Sequence, residues 1–371
     1  MKIVYFTHSL RSCWNHGNAH FLRGVLSELV HRGHEVVSAE PHQEWSLNNL
    51  LRDHGDAGLE PFRTAYPELQ DVIATYDDVD DALQVAEDAD LVIVHEWNDP
   101  DLAAALGRTR KRGGRFELLF HDTHHRAVSA PEEMDEFDLS GFDGVLAFGE
   151  ALSEVYRDRG WGGRVWTWHE AADTRRFHPP FEERTRRGLV WIGNWGDEER
   201  SREIVSYLLK PARSAGLPLD IYGVRYPGRV NRKLKRYGGT YHGWAPNAKA
   251  PEIFSEHLAT VHVPRRFYTR MLPGIPTIRV FEALACGIPL ICAPWSDSEE
   301  LFRRGEDFLM AETPDAMTRQ LGLLKNDAEL RSALVKSGLE RIRSAHSCAH
   351  RVDELMNIVS ELGSEPERNA A

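Results

Sequence analysis

Short apolar runs alternate along the chain with longer stretches in which apolar residues return every three or four positions. Lys2 to Phe6 reads as a strand, and Ala19 to His31 places Phe21, Leu22, Val25, Leu26, Leu29 and Val30 on one helical face. Arg32-Gly-His-Glu-Val-Val37 closes that helix and opens a second strand. Further strands are predicted over 89–95, 116–120, 142–148 and 164–168, with helices over 45–52, 76–87 and 150–157. A second series starts at Gly188, with strands predicted over 188–193, 219–223, 240–244, 260–264 and 289–293 and a helix over 203–210. Repeated βα alternation of this kind predicts an α/β protein built from two Rossmann-like domains.

The sharpest local signal runs from Pro276 to Pro294. Pro276 and Thr277 start a helix, Val280, Phe281, Leu284 and Ala285 recur at helical spacing, and Gly287 with Pro289 stops it before a buried strand. A helix N-terminus that points into a cleft offers unpaired N–H groups and the positive end of a dipole, so Thr277, Ile278 and Arg279 are candidate phosphate contacts. Glu282 is the one acid on a helix that is otherwise apolar there. It either holds hydroxyls near a bound phosphate or is a buried Glu paired with an Arg such as Arg279. Loops after parallel strands line the crevice of such folds, which nominates Asn15, His16, Gly17 and Asn18 after the first strand and His95 at the end of another. The first loop lacks G-x-G-x-x-G, so no dinucleotide cofactor is expected. His121, Asp122, His124 and His125 lack a helical ligand spacing, so no metal is expected either.

A length of 371 residues suits two domains, and 42% apolar with 27% charged residues describes a globular chain. The net charge of −12 argues against nucleic acid or an anionic membrane as the main partner. One basic run, Arg229 to Arg236, reads as a solvated helix face or a contact for a phosphorylated group. No apolar run is long enough for a transmembrane segment or signal peptide, and Cys13, Cys286, Cys292 and Cys348 have neither metal nor redox spacing. A cytoplasmic location is expected.

Phe281-Glu-Ala-Leu-Ala-Cys-Gly-Ile-Pro-Leu-Ile291 resembles the donor-site signature of retaining GT-B glycosyltransferases of the family 4 type. Asp173, Arg176, Phe177 and Pro179 match the interdomain step of that family, although Glu170-Ala171 replaces its Asn-Gly pair. The opening loop and Gly193-Asn-Trp195 are similar to a branch related to the spore-maturation glycosyltransferases. The resemblance implies a GT-B fold: an acceptor domain over 1–170, a linker over 171–185 and a nucleotide-sugar domain over 186–346. A helix near 347–363 would cross back onto the first domain, and 364–371 would form a flexible tail.

Within that fold the resemblance implies that Glu282 binds ribose, that the turn before it binds the diphosphate, and that His121 lies by the donor sugar. It places Gly193 and Asn194 beside the diphosphate, with Arg200 or Arg202 supplying a cation where Asn194 replaces the usual Arg. Tyr222, His242 and Gly243 fall near the turn that reads the base. His121, Arg200 and Glu282 are thus the expected catalytic set. The implied reaction moves a sugar from a nucleotide-diphosphate donor, with retention and by front-face attack, to a glycan, lipid-linked, small-molecule or protein acceptor. The nucleotide sugar is a substrate, and neither cofactor nor metal is called for. The acid usually found eight residues before Glu282 is replaced by Gly274. This and Asn194 leave open a sugar-nucleotide 2-epimerase or a catalytically degenerate GT-B binding protein.

Overall fold

The computed structural model describes residues 1–182, 184–196 and 198–364, so the expected tail lies outside the described residues from position 365 onward. Seven strands form the first sheet: β1 (Lys2–Phe6), β2 (Glu35–Pro41), β3 (Ile73–Tyr76), β4 (Leu91–His95), β5 (Glu117–Asp122), β6 (Gly144–Ala147) and β7 (Val165–Thr167). Their spatial order is β3-β2-β1-β4-β5-β6-β7. Six more form the second: β8 (Leu189–Ile192), β9 (Leu219–Tyr222), β10 (Gly239–Gly243), β11 (Ala259–His262), β12 (Leu290–Cys292) and β13 (Leu309–Met310), in the order β10-β9-β8-β11-β12-β13. Every pairing is parallel. Parallel sheets are covered on both faces, which is why β4 and β11 are buried along their whole length. Each sheet reverses its strand order beside its first strand, opening a crevice at the carboxyl ends of the strands.

Three predicted elements differ from those observed. The strand expected to stop at Phe120 continues to Asp122, with His121 paired to His95 in the sheet. The helix expected over 76–87 is divided: Tyr76 ends β3, and the helix Val79–Ala86 starts only after Asp78, whose side chain accepts from the Asp81 N–H. An Asp at that position caps a helix and so marks its true start. The helix expected over 203–210 runs from Ser201, passes through a π turn at Val205–Leu209 and continues as Lys210–Ser214. Pro211 has no N–H and crowds the turn before it, which accounts for the local change in winding.

The basic run lies on the helix Gly228–Arg236, which buries Val230 and Leu234 and leaves its Arg and Lys side chains exposed. It is a solvated face. The last helix, Cys348–Gly363, returns to pack on the helix Ala19–His31, where Val352, Leu355 and Ile358 join Leu22, Val25 and Leu29 in one core. Gly24 permits this approach, because a Cβ there would sit 2.5 Å from Cys348 Sγ. Trp168 Nε1 donates to the Arg351 carbonyl at 2.9 Å and Arg32 pairs with Asp353 at 2.6 Å.

Candidate active site

A cleft of about 1080 Å³ lies between the carboxyl ends of the two sheets and is lined from both domains. The domains touch across it: Asn194 Nδ2 donates to Asn15 Oδ1 at 2.9 Å, and the Asn247 N–H donates to Cys13 Sγ at 3.3 Å. Glu299 binds the Glu150 N–H at 3.0 Å and His169 Nε2 at 2.7 Å.

The second-domain wall gathers cations around a helix start. Thr277 caps the helix Ile278–Ala285 without a side-chain hydrogen bond, and Thr277, Ile278 and Arg279 all face the cleft. Arg200 lies over the Trp191 ring at 5.0 Å, donates to the Val263 carbonyl at 3.0 Å and donates to Asn194 Oδ1 at 2.9 Å. Arg265 pairs with Glu199 and donates to the same Asn194 oxygen at 3.4 Å. Asn194, which stands where an Arg was expected, therefore organises two arginines instead of being one. Burial, followed by the nearby Arg265, pushes Arg200 down to about 9, so it remains a cation at neutral pH.

The first-domain wall is different in kind. His8 and His16 pack as tilted rings with centres 3.7 Å apart, and His124 and His125 likewise at 4.0 Å. Burial, then a neighbouring His, lowers His16 and His124 well below the ordinary imidazole range, and burial holds His125 near 4. These rings are neutral hydrogen-bonding groups. Burial raises Glu44 to about 7.

Asn15, His16, Gly17 and Asn18 line the cleft as expected, together with Gly193, Asn194, Arg200, Thr277, Ile278 and Arg279. Other expected residues do not. His121 is fully buried, hydrogen-bonds Tyr5 and meets Trp168 edge-on at 4.8 Å, because β5 runs two residues further than the apolar run and carries it into the sheet. His124 and His125 face the cleft in its place. His95 is buried just behind the lining, 3.1 Å from both Asn18 Nδ2 and Thr123 Oγ1. Arg202 is exposed outside the cleft, on the helix that starts at Ser201 after the inward-facing Arg200.

Tyr222 and His242 stack on one another at 4.6 Å, with His242 Nε2 2.7 Å from Asp220. Like Gly243 they lie beside the lining, and Gly223 to Arg225 and Trp244 to Asn247, just past the strand ends, form it. Glu282 is fully buried behind the wall. It accepts from Asn247 Nδ2 at 2.6 Å and pairs with Arg279, the second of the two arrangements its position allowed. Burial, opposed by Arg279, raises its carboxyl above the usual range. Asn247 and Arg279 carry this anchored network to the cleft surface.

The backbone at Gly274 has φ +93°, and a Cβ there would lie 2.3 Å from Ser298 Oγ, so an acid at that position would be strained and would have to displace Ser298. A different carboxyl lines the cleft. Glu170, 4% exposed, lies beside the helix start at Ile278, and burial with the charges of Glu282 and Glu96 pushes it well above the carboxylate range. Sequence reasoning saw this residue only as a replaced Asn; its place beside a distant helix start follows from tertiary contact. Among the described residues no group of three or more His, Cys, Asp or Glu side chains is arranged to hold a metal.

Two parallel-sheet Rossmann-like domains about a cleft, with a final helix crossing back, define the GT-B glycosyltransferase fold. Residues 200–357 match the family model described as glycosyl transferase-like, so the chain carries a glycosyltransferase-like domain on that fold. Solved structures agree over almost the whole chain. HepE from Anabaena, in complex with UDP and glucose, superposes with a TM-score of 0.64 at 12% identity over 97% of this chain and 100% of its own. An alpha-glucosyltransferase (AGT) in complex with UDP gives 0.69 at 12% over 97% and 100%. Sucrose-phosphate synthase from Thermosynechococcus elongatus gives 0.67 at 14% over 98% and 99%. No curated protein sequence matches the chain.

Proposed function

We propose that this protein transfers a glycosyl group from a nucleoside diphosphate sugar to an acceptor, with retention of configuration. The observation that carries the reading is the pairing of Arg200 and Arg265, both bound to Asn194, with the open start of the helix Ile278–Ala285 on one cleft wall. That is a site for a diphosphate. The UDP complexes of HepE and AGT support uridine diphosphate as the nucleotide.

The acceptor hydroxyl attacks the anomeric carbon on the face that the diphosphate leaves, its proton passing to the departing phosphate oxygen. Arg200 and the helix N–H groups stabilise the growing phosphate charge, which assigns to this chain the part a metal could take. Asn247 and Arg279, anchored by Glu282, face the ribose, and His124 takes the place by the sugar expected of His121. Positioning and electrostatics supply the rate. The four cysteines are free thiols, which suits a reducing, cytoplasmic setting. Among the described residues no helix is long and apolar enough to cross a membrane.

Thermal unfolding against a panel of nucleoside diphosphates and their sugars tests the reading. A ligand at 100 times its Kd adds about 2.7 kcal/mol, a shift of several degrees. If no nucleotide shifts the transition, the transferase reading fails and a binding protein on the same fold replaces it.

A further inference from the structure

The two walls of the cleft differ in charge as well as in fold. Four arginines, Arg200, Arg225, Arg265 and Arg279, line the second-domain side. Among the described residues the first-domain side has no Lys or Arg in its lining, and it carries the buried Glu44 and the exposed Asp77, Asp78, Asp99 and Asp101. Glu44, Asp78 and Asp99 each cap a helix through a backbone N–H. Capping needs only a side-chain oxygen, which Asn or Ser supplies as well. It does not require four exposed aspartates at one mouth, none of them ion-paired among the described residues. Two cations lie outside the lining: Arg126 is stacked on Trp97 at 4.3 Å and bonded to the Glu96 carbonyl, and Arg11 is paired with Glu40 at 3.0 Å.

Two further observations point to a bound molecule. Trp45 and Trp97, 53% and 44% exposed, stand at the same rim although each costs free energy in water. His16, only 6% exposed, leaves Nε2 buried and without a partner in this wall. An indole face receives the C–H face of a sugar ring or a cation. A neutral imidazole nitrogen receives or gives one hydroxyl hydrogen bond. A wall of carboxylates repels phosphate and carboxylate groups and attracts an ammonium.

We propose that the acceptor is a hydroxylated small molecule bearing an amino group and no anionic group, of the amino-sugar or aminocyclitol type. Its ring lies against the exposed indoles of the first domain, and its ammonium lies among Asp77, Asp78, Asp99 and Asp101. This rests on the transferase reading, because that reading makes the first-domain wall the acceptor side. A phosphorylated acceptor or a nucleic acid is the contrary case. AGT was also solved with UDP and a 13-mer DNA, a polyanion that this wall is charged to refuse.

The test uses the full chain saturated with UDP and titrated with matched probes. The amines are glucosamine, 2-deoxystreptamine and kanamycin; glucose, inositol and trehalose are uncharged; glucose 6-phosphate, inositol phosphate and glucuronate are anions. At least one amine should bind about tenfold or more tightly than its uncharged match, and more weakly in 0.5 M salt, as a screened charge contact does. The anions should bind worst. The variant Asp77→Asn/Asp78→Asn/Asp99→Asn/Asp101→Asn keeps the caps and should lose the amine preference while binding UDP as before. Anions binding best, amines binding no better than uncharged probes, or no amine binding to a protein that does bind UDP would each overturn the proposal. Failure to bind UDP or any other nucleoside diphosphate would instead remove the transferase reading beneath it.

Discussion

The walls of this cleft come from the same architecture, a parallel sheet presenting the carboxyl ends of its strands, and yet they present opposite chemistry. The second domain concentrates arginines and a helix start and ties them together through Asn194 and Glu282. The first uses uncharged imidazoles, carboxyls and indoles. Fold thus decides where groups converge, while the loop residues after each strand decide what they can bind. A transferase needs such a difference, because a diphosphate and an acceptor must meet without exchanging places.

The largest effect should come from breaking the anchor of the cationic wall. Glu282→Ala leaves Arg279 and Asn247 without their buried partner and should cost about 3 kcal/mol, read from denaturant midpoints. Arg200→Ala removes the charge while leaving the first-domain wall intact. UDP affinity by calorimetry should fall by about 1.5–3 kcal/mol, the range for a hydrogen bond to a charged group. An unchanged affinity would place the nucleotide elsewhere. Gly274→Glu, which restores the acid that the resembled family carries, should cost about 1–3 kcal/mol in stability through its left-handed backbone and the contact with Ser298, with no gain in turnover.

The smallest effect lies behind the other wall. Burial, opposed by Arg126, raises the Glu96 carboxyl from 4.5 to about 8, so the folded chain keeps a proton that the unfolded chain has released. That contribution is complete below about pH 4.5 and is lost as pH rises through about 8. Over pH 7 to 8 this one carboxyl should lower stability by about 1 kcal/mol as pH rises. The pH dependence of Glu96→Gln should differ from that of the parent chain by this amount when unfolding midpoints are compared at the two pH values.

Periodicity and punctuation alone located most elements of both sheets, the helix Ile278–Ala285 and the loop Asn15 to Asn18, because those signals are local. They also nominated the helix start, which lines the cleft, since the first turn of a helix is readable from its own residues; the family resemblance added Arg200 or Arg202, of which Arg200 lines the cleft. Strand β3 and the last two residues of β5 were hidden. Ile73 to Tyr76 sits at a sheet edge and is only partly buried, and His121 and Asp122 are polar residues within a sheet.

The sequence by itself determined a two-domain α/β chain with a helix start facing its cleft, since apolar spacing, caps and breakers act over a few residues. Only the tertiary structure decided that Glu282 is sequestered with Arg279, that Asn194 holds two arginines and that Glu170 takes the place by the helix start. It also set His124 in the cleft and His121 in the core. Those outcomes depend on contacts between residues far apart in the chain and on which groups burial denies to water, and no local pattern encodes either.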